Sequence, residues 1–351
     1  MRYIELFAGI GGFRSAADHL SVDTDQIFDC VGFSEIDKYA KATYSANYDV
    51  EDEVQMDDII GFTNDTENIE GLPDFDLLLG GFPCQAFSLL GKQLGLEDER
   101  GKILFSIHEI LREKQPEFVV LENVRNIIKH DKGKTLQLIL DFFREHEYNY
   151  VNYVVLDSQS FGLPQRRSRI FFVCSKRELD IVLTEEAIVN SFNDIDNNSL
   201  NTYDNVLDIL EKHADQKYYL SEKIKHTILD GGSKNFWSKS QIDLDIARTL
   251  TATMVKMHRA CQDNYYSDDY ITNGRSHKDT AKEILFKKPV RKLMPSEALK
   301  LQGFDQVFFD NARAAGVSEH QLYKQAGNAL SVNTGYALLY YLFVHHRIQN
   351  H

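Results

Sequence analysis

The chain has 351 residues, 43% of them hydrophobic, and a formal net charge of −14. Such a length can bury a large core and suggests two domains, while no apolar stretch reaches the length of a membrane span. Its four cysteines, Cys30, Cys84, Cys174 and Cys261, have neither paired spacing nor a zinc pattern, which argues against a disulfide scaffold and leaves no metal site expected.

Met1 to Phe7 runs into a strand without a signal peptide, so a soluble cytoplasmic protein is expected. Apolar runs predict strands at Tyr3–Phe7, Cys30–Ser34, Phe75–Leu79, Phe118–Leu121, Tyr150–Leu156 and Arg169–Cys174. Helical patterns predict Gly12–Leu20, Lys38–Asn47, Lys102–Lys114 and Thr135–His146. Strands alternating with helices point to an α/β fold with a doubly wound, mostly parallel sheet. Such sheets bind ligands beyond the carboxyl ends of their strands. After Lys176 the alternation stops. Asn190 to Asn205, rich in Asn, Asp and Ser, reads as a surface linker, and about 217–288 as a smaller irregular domain. Regularity returns at Ser296–Gly303 and Leu330–His346.

Charge is unevenly spread. From His213 to Lys300 there are 16 Lys and Arg against 11 Asp and Glu. A polyanion could meet this segment and avoid the acidic remainder.

The candidate chemistry falls at strand ends. Phe7-Ala8-Gly9-Ile10-Gly11-Gly12 follows the first strand and opens a helix, where glycines let a ligand approach the backbone. Glu35 follows 24 residues after Gly11, the place of an acid that binds ribose hydroxyls. Asp58 is placed to meet an adenine amino group. The full GxGxxG form is absent, so pyrophosphate is not implied. Pro83-Cys84-Gln85 puts a cysteine on a Gly/Pro-shaped loop after an apolar strand, as a nucleophile is presented. A lone cysteine is more often a packing residue. Glu122-Asn123-Val124 ends the next strand with an acid able to protonate a substrate ring. In Gln165-Arg166-Arg167-Ser168-Arg169, strand alternation would point Arg167 and Arg169 together into a site.

In this order the motifs resemble those of the DNA (cytosine-5)-methyltransferases of the bacterial type II restriction-modification kind. The similarity extends to Arg291–Glu297 with Leu301–Phe304 and to Gln325-Ala326-Gly327-Asn328-Ala329. Thr249-Leu250 is similar to a recurrent pair of the family's target recognition domain. The resemblance implies a catalytic and cofactor-binding domain over 1–176, a target recognition domain with hinge over 177–320, and a return to the catalytic domain over 321–351. It implies methyl transfer from S-adenosyl-L-methionine to C5 of a cytosine flipped out of duplex DNA, with Cys84, Glu122, Arg167 and Arg169 as the catalytic set. Phe7, Ala8, Gly9, Gly11, Gly12, Glu35, Ile36, Asp58, Ile59, Pro83, Ile103 and Asn328 match cofactor positions. Ile36 stands where relatives often carry tryptophan. The DNA-binding candidates are Ser88, Gln93 and Arg100, on or bounding a loop composed to close over the base, and Arg248, Thr249, Lys256 and Arg259. Arg248 and Arg259 are the first candidates for reading bases. Phe236, Trp237, Tyr265 and Tyr266 are expected in that domain's core. Double-stranded DNA is the expected partner of a monomer. A cognate restriction endonuclease acting on the same site without a stable complex also fits the family.

Three alternatives explain less. A tRNA cytosine methyltransferase would carry Phe-Thr after the catalytic Pro-Cys, where this chain has Gln85-Ala86. A nucleotide-dependent oxidoreductase accounts for neither Cys84 with Glu122 nor the arginine run. A catalytically dead DNA-binding adaptor does not need Cys84, Glu122 and Arg169 intact.

Overall fold

The computed structural model describes residues 1–83, 99–196, 198–229, 232–233, 236–237, 241–256, 258–259, 261–277, 280 and 282–348. They form two compact units. The first comprises Met1–Asp157, Ser168–Ser199 and Thr334–His351, the second Ser158–Arg167 and Leu200–Asn333.

Up to residue 193 the elements are β1 (Arg2–Leu6), α1 (Gly12–Asp23), β2 (Asp29–Phe33), α2 (Lys38–Asn47), β3 (Val54–Gln55), α3 (Ile59–Thr63), α4 (Thr66–Glu70), β4 (Leu77–Gly81), α5 (Glu99–Lys114), β5 (Phe118–Val124), α6 (Lys134–Glu145), β6 (Tyr150–Asp157), β7 (Gln165–Arg166), β8 (Ser168–Ser175) and α7 (Glu185–Asn193). Seven strands make the first unit's sheet, in the order β3-β2-β1-β4-β5-β8-β6. Strands β1 to β5 run parallel, and β8 runs antiparallel to both its neighbours. Strand order therefore reverses between β1 and β4, the crevice where such sheets take ligands. Because β8 is inverted, its first residues lie at the edge where β5 ends.

The central strands are fully buried, as parallel strands covered on both faces must be. Leu77, Leu78, Leu79, Val119, Val120 and Leu121 are all 0% exposed. Helices start where side chains can take the free N–H groups. Asp37 accepts from Tyr39 and Ala40, Asp58 from Ile60, and Thr184 from Ala187. The expected linker loses its first residues to α7, which buries Ile188 and Phe192. Thr184, two glutamates in the first turn and that apolar spacing were the available signal. The last helix, Val332–Leu339, continues as a π-helical turn, Tyr340–His345. No helix among the described residues is long and apolar enough to cross a membrane.

The second unit has little ladder. Tyr265–Ser267 pairs with Val290–Lys292 over three residues. A small core gathers Leu220, Ile228, Leu229, Ile242, Tyr265, Leu285 and Val290. Tyr265 and Tyr266 are buried as expected; the side chains of Phe236 and Trp237 lie outside what is described. Arg291 and Glu297 form a bidentate ion pair, 2.7 and 2.8 Å, with side chains at most 1% exposed. Glu297 also accepts from the Met294 and Glu211 amides, so its buried charge is fully bonded.

Candidate active site

The turn after β1 is wound tightly. Phe7, Gly9 and Gly11 all take left-handed conformations, with φ of 56°, 59° and 82°. Such a φ is uncommon for a phenylalanine and clusters at functional sites. A side chain on Gly11 would meet the Tyr48 ring at 2.4 Å, so only glycine fits there. Tyr48 Oη donates to the Gly11 carbonyl at 2.8 Å. Arg14 sits over the Tyr48 ring and is held by Asp18 and Glu53.

This turn is stitched to the segment after β2. The Phe7 amide donates to Ser34 Oγ, the Ala8 amide to the Ser34 carbonyl, and the Gly9 amide to Glu35 Oε2 at 2.8 Å. The other Glu35 oxygen accepts from the Asp37 amide at 2.7 Å. Two backbone bonds thus fix the carboxylate plane. Ile36 is 75% exposed beside it, whereas Ala8 and Gly12 are buried. Asp58 is exposed and uses one oxygen to cap α3. Asp57 before it pairs with Lys41 instead. Ile59 is buried in the core and Ile103 packs half-buried against it.

Beneath the turn lies a residue the motif reading passed over. Glu5 on β1 is 2% exposed, and burial pushes its carboxyl up to about 8, against the opposing pull of Arg14. A charged residue inside an apolar strand was the signal for it.

The reaction edge is built by register. Gly81 of β4 pairs with Glu122 of β5, and Val124 of β5 pairs with Arg169 of β8. Arg169 Nε lies 2.8 Å from Glu122 Oε1, with both side chains about 15% exposed or less. Pro83 is exposed at the end of the described β4 segment. Cys84, Ser88 and Gln93 lie outside the described residues, as does the side chain of Arg100. Cys30 and Cys174 are buried, and burial pushes both thiols up, the environment of inert packing cysteines.

Arg167 differs from the expectation that it points alongside Arg169. It lies between β7 and β8 rather than within a strand, so alternation does not govern it. Its side chain is buried in the second unit and donates to the carbonyls of Leu250, Gly327 and Ala329 at 3.0, 3.2 and 2.7 Å. Gln165 joins the same hub, accepting from the Leu250 amide and donating to the Leu301 carbonyl. A side chain on Gly327 would come within 2.1 Å of the Thr251 backbone, so the two segments touch main chain to main chain. Asn328 is exposed at the end of helix Glu319–Asn328.

Arg248 and Arg259 are likewise committed within the second unit. Arg248 donates to the Asp263 and Gln241 carbonyls, and Arg259 to Thr251 Oγ1 and Asp263. Both brace the frame of this segment. The spacing of Arg259 and Asp263, four residues apart, was the sign of an internal pair. Thr249 donates to the Arg166 carbonyl, and Lys256 is exposed.

With this geometry in view, the comparisons are specific. The family model described as C-5 cytosine-specific DNA methylase matches residues 1–343. The type II methyltransferase M1.ScrFI of Lactococcus lactis subsp. cremoris is 36% identical over 96% of this chain and 76% of its own. The type II methyltransferase M.NlaX of Neisseria lactamica is 34% identical over 94% and 92%. Among solved structures, the Entamoeba histolytica methyltransferase EhMeth superposes with a TM-score of 0.74 at 20% identity, and the S. pombe Dnmt2 methyltransferase with 0.71 at 17%, each covering 98% of both chains. These two likenesses show the shared fold.

Proposed function

Since the chain belongs to the C-5 cytosine-specific DNA methylases, we propose that it methylates C5 of a cytosine flipped from a specific duplex sequence through a covalent bond between Cys84 and C6. The observation that carries this reading is the Glu122–Arg169 pair, on the strand next to the one that leads into Pro83-Cys84.

Cytosine C5 is a weak nucleophile. Addition of the Cys84 thiolate to C6 pushes the ring electrons toward N3 and makes C5 enamine-like. Glu122 protonates or hydrogen-bonds N3 and the exocyclic amine, stabilising that charge. Arg169 holds Glu122 in place and donates to the base O2. S-adenosylmethionine, when bound, supplies an electrophilic methyl group to C5. Loss of the C5 proton to a base then expels the thiolate and restores the aromatic ring. The nucleotide must leave the stack for any of this to occur.

The turn after β1 suits such a cofactor. The position of a Gly9 side chain is open, with no atom within 4 Å. Glu35, held by two amides, would accept from ribose hydroxyls, and exposed Ile36 offers apolar cover to adenine. Phe7, Ala8, Gly11, Gly12, Asp58, Ile59, Pro83, Ile103 and Asn328 complete the proposed set. Within the catalytic set, Arg167 acts as a brace of the second unit. Sequence recognition is assigned to 177–320, with Thr249 and Lys256 toward DNA, and Arg248 and Arg259 shaping the segment that presents them. Ser88, Gln93 and Arg100 remain the proposed contacts to the flipped nucleotide's surroundings. Protection of host DNA from a cognate endonuclease is the biological role that fits relatives named as type II methyltransferases.

Duplex DNA bearing 5-fluorocytosine in the site tests the chemistry, because fluorine at C5 blocks the final elimination. The protein should form a covalent adduct with it, and Cys84→Ser should form none and transfer almost no methyl. Near-normal methyl transfer by the serine variant would overturn the mechanism.

A further inference from the structure

We infer that Tyr48 is a positioning residue of the turn after β1, its hydroxyl holding the Gly11 carbonyl and thereby keeping Gly9, Ile10 and Gly11 in the conformation that meets the cofactor. The inference rests on the reading of this turn as the cofactor site.

Gly11 is the N-cap of α1 and has no side chain with which to cap it. Phe7, Gly9 and Gly11 all carry positive φ, and such backbone persists only where its surroundings over-determine it. The Ser34–Glu35 segment takes the Phe7, Ala8 and Gly9 amides and reaches as far as Gly9. Tyr48 holds the other end. Its Oη donates to the Gly11 carbonyl at 2.8 Å and lies 3.4 Å from that of Ile10. The Gly11 carbonyl already accepts the first helical bond, from the Ser15 amide at 2.9 Å. A carbonyl has two lone pairs, and Tyr48 takes the second. The same hydroxyl bonds to the Ser15 side chain, and burial pushes the phenol well up, so it stays protonated and remains a donor.

The ring is fixed apart from its hydroxyl. It packs against Ala8, Phe33 and Tyr44 and lies 4.7 Å from the Tyr44 ring. The Arg14 guanidinium sits 5.3 Å over it, held by both Asp18 oxygens at 3.1 Å. Tyr48 is also the C-cap of α2, its amide closing the helix on the Tyr44 carbonyl. One helix therefore serves the turn from both ends. Glu35, two residues before the N-cap Asp37, holds Gly9, and Tyr48 at the C-cap holds Gly11. Without the hydroxyl the turn spends part of its time in other conformations, and apparent cofactor affinity falls with the fraction that can bind.

Tyr48→Phe removes the hydroxyl and leaves the ring. S-adenosylmethionine affinity would be measured by calorimetry, methyl transfer with kcat and cofactor KM separated, and amide hydrogen exchange on the cofactor-free protein. Affinity and KM should each worsen about three- to tenfold, the worth of one neutral hydrogen bond, with kcat at saturating cofactor within about twofold of the parent. Amides between Phe7 and Ser15 should exchange faster, while those of β4 and β5 keep the parent's rates. Unchanged cofactor affinity would overturn the inference, whatever kcat does. Faster exchange across the whole first unit would also overturn it, since Tyr48 would then be an ordinary packing residue. Tyr48→Leu, which drops the ring as well, should bind more weakly still; parental affinity in that variant would deny Tyr48 any hold on the turn. Glu35→Ala in parallel separates the two claims. If neither Glu35→Ala nor Tyr48→Phe changes cofactor affinity, the reading of the turn as cofactor site fails. If Glu35→Ala weakens binding and Tyr48→Phe does not, only the role of Tyr48 fails.

Discussion

In the first unit, β5 and β8 share seven register pairs and β6 and β8 share eight. In the second, the described antiparallel pair with the most residues has three, and its segments are fastened by Arg167, Arg248, Arg259 and Arg291 reaching backbone carbonyls and carboxylates. Where the backbone ladder holds the fold, polar side chains at strand ends need not carry it, and Glu122 and Arg169 pair with each other there. Where ladder is scarce, cations replace it and are consumed. An excess of Lys and Arg in a segment therefore measures two things at once, attraction for a polyanion and the need for internal struts.

The contrast is broken most sharply at Arg291. Arg291→Ala leaves Glu297 charged and unpaired in the core, and should cost about 3–5 kcal/mol. Chemical denaturation should show a second-unit transition lost or moved far down. Replacing both partners with apolar residues should recover most of that. A small shift from Arg291→Ala would mean that the second unit does not depend on such struts.

Glu35 tests the other half of the contrast. Glu35→Ala should weaken S-adenosylmethionine binding by roughly 1.5–3 kcal/mol, the worth of a charge-assisted hydrogen bond. DNA affinity without cofactor should change little. Calorimetry with unchanged cofactor affinity would remove this carboxylate from the site.

A third test is made at Glu5, the first unit's own buried acid, and reads a slope with pH in place of a fixed loss. Its folded-state carboxyl titrates near 8 and an unfolded one near 4.5. Between those values the unfolded chain releases its proton first, so this group's contribution to stability falls as pH rises through the window. Glu5→Gln should remove that slope, and the variant should gain on the parent between pH 5 and pH 8. Parallel melting curves that keep a constant gap across that range would refute the assignment.

Much of the first unit was legible because its strands are largely apolar runs and its first two helices begin at the Gly11 turn and at Asp37. Glu35, Pro83 and Glu122 could be proposed from sequence because each follows such a run. Arg167 was misplaced because a single residue separates β7 from β8, and alternation applies only inside a strand. For Arg248 and Arg259, sequence shows a charge but not the carbonyls and the carboxylate around it. Asn123 was quoted within its motif, yet its side chain bonds to a carbonyl 41 residues away, which no local pattern reveals.

The hub around Arg167 carries a consequence in time. It ties this residue to Leu250, 83 positions on, and to Ala329, 162 positions on. A chain emerging from the ribosome at about 5–20 residues per second cannot close this hub until residue 329 is free. Local helices and the first parallel strands can form earlier, but contacts of such long span come last. The nascent chain therefore exposes much of its second unit unassembled for many seconds. The second unit is completed only when nearly all of the chain described here has been made.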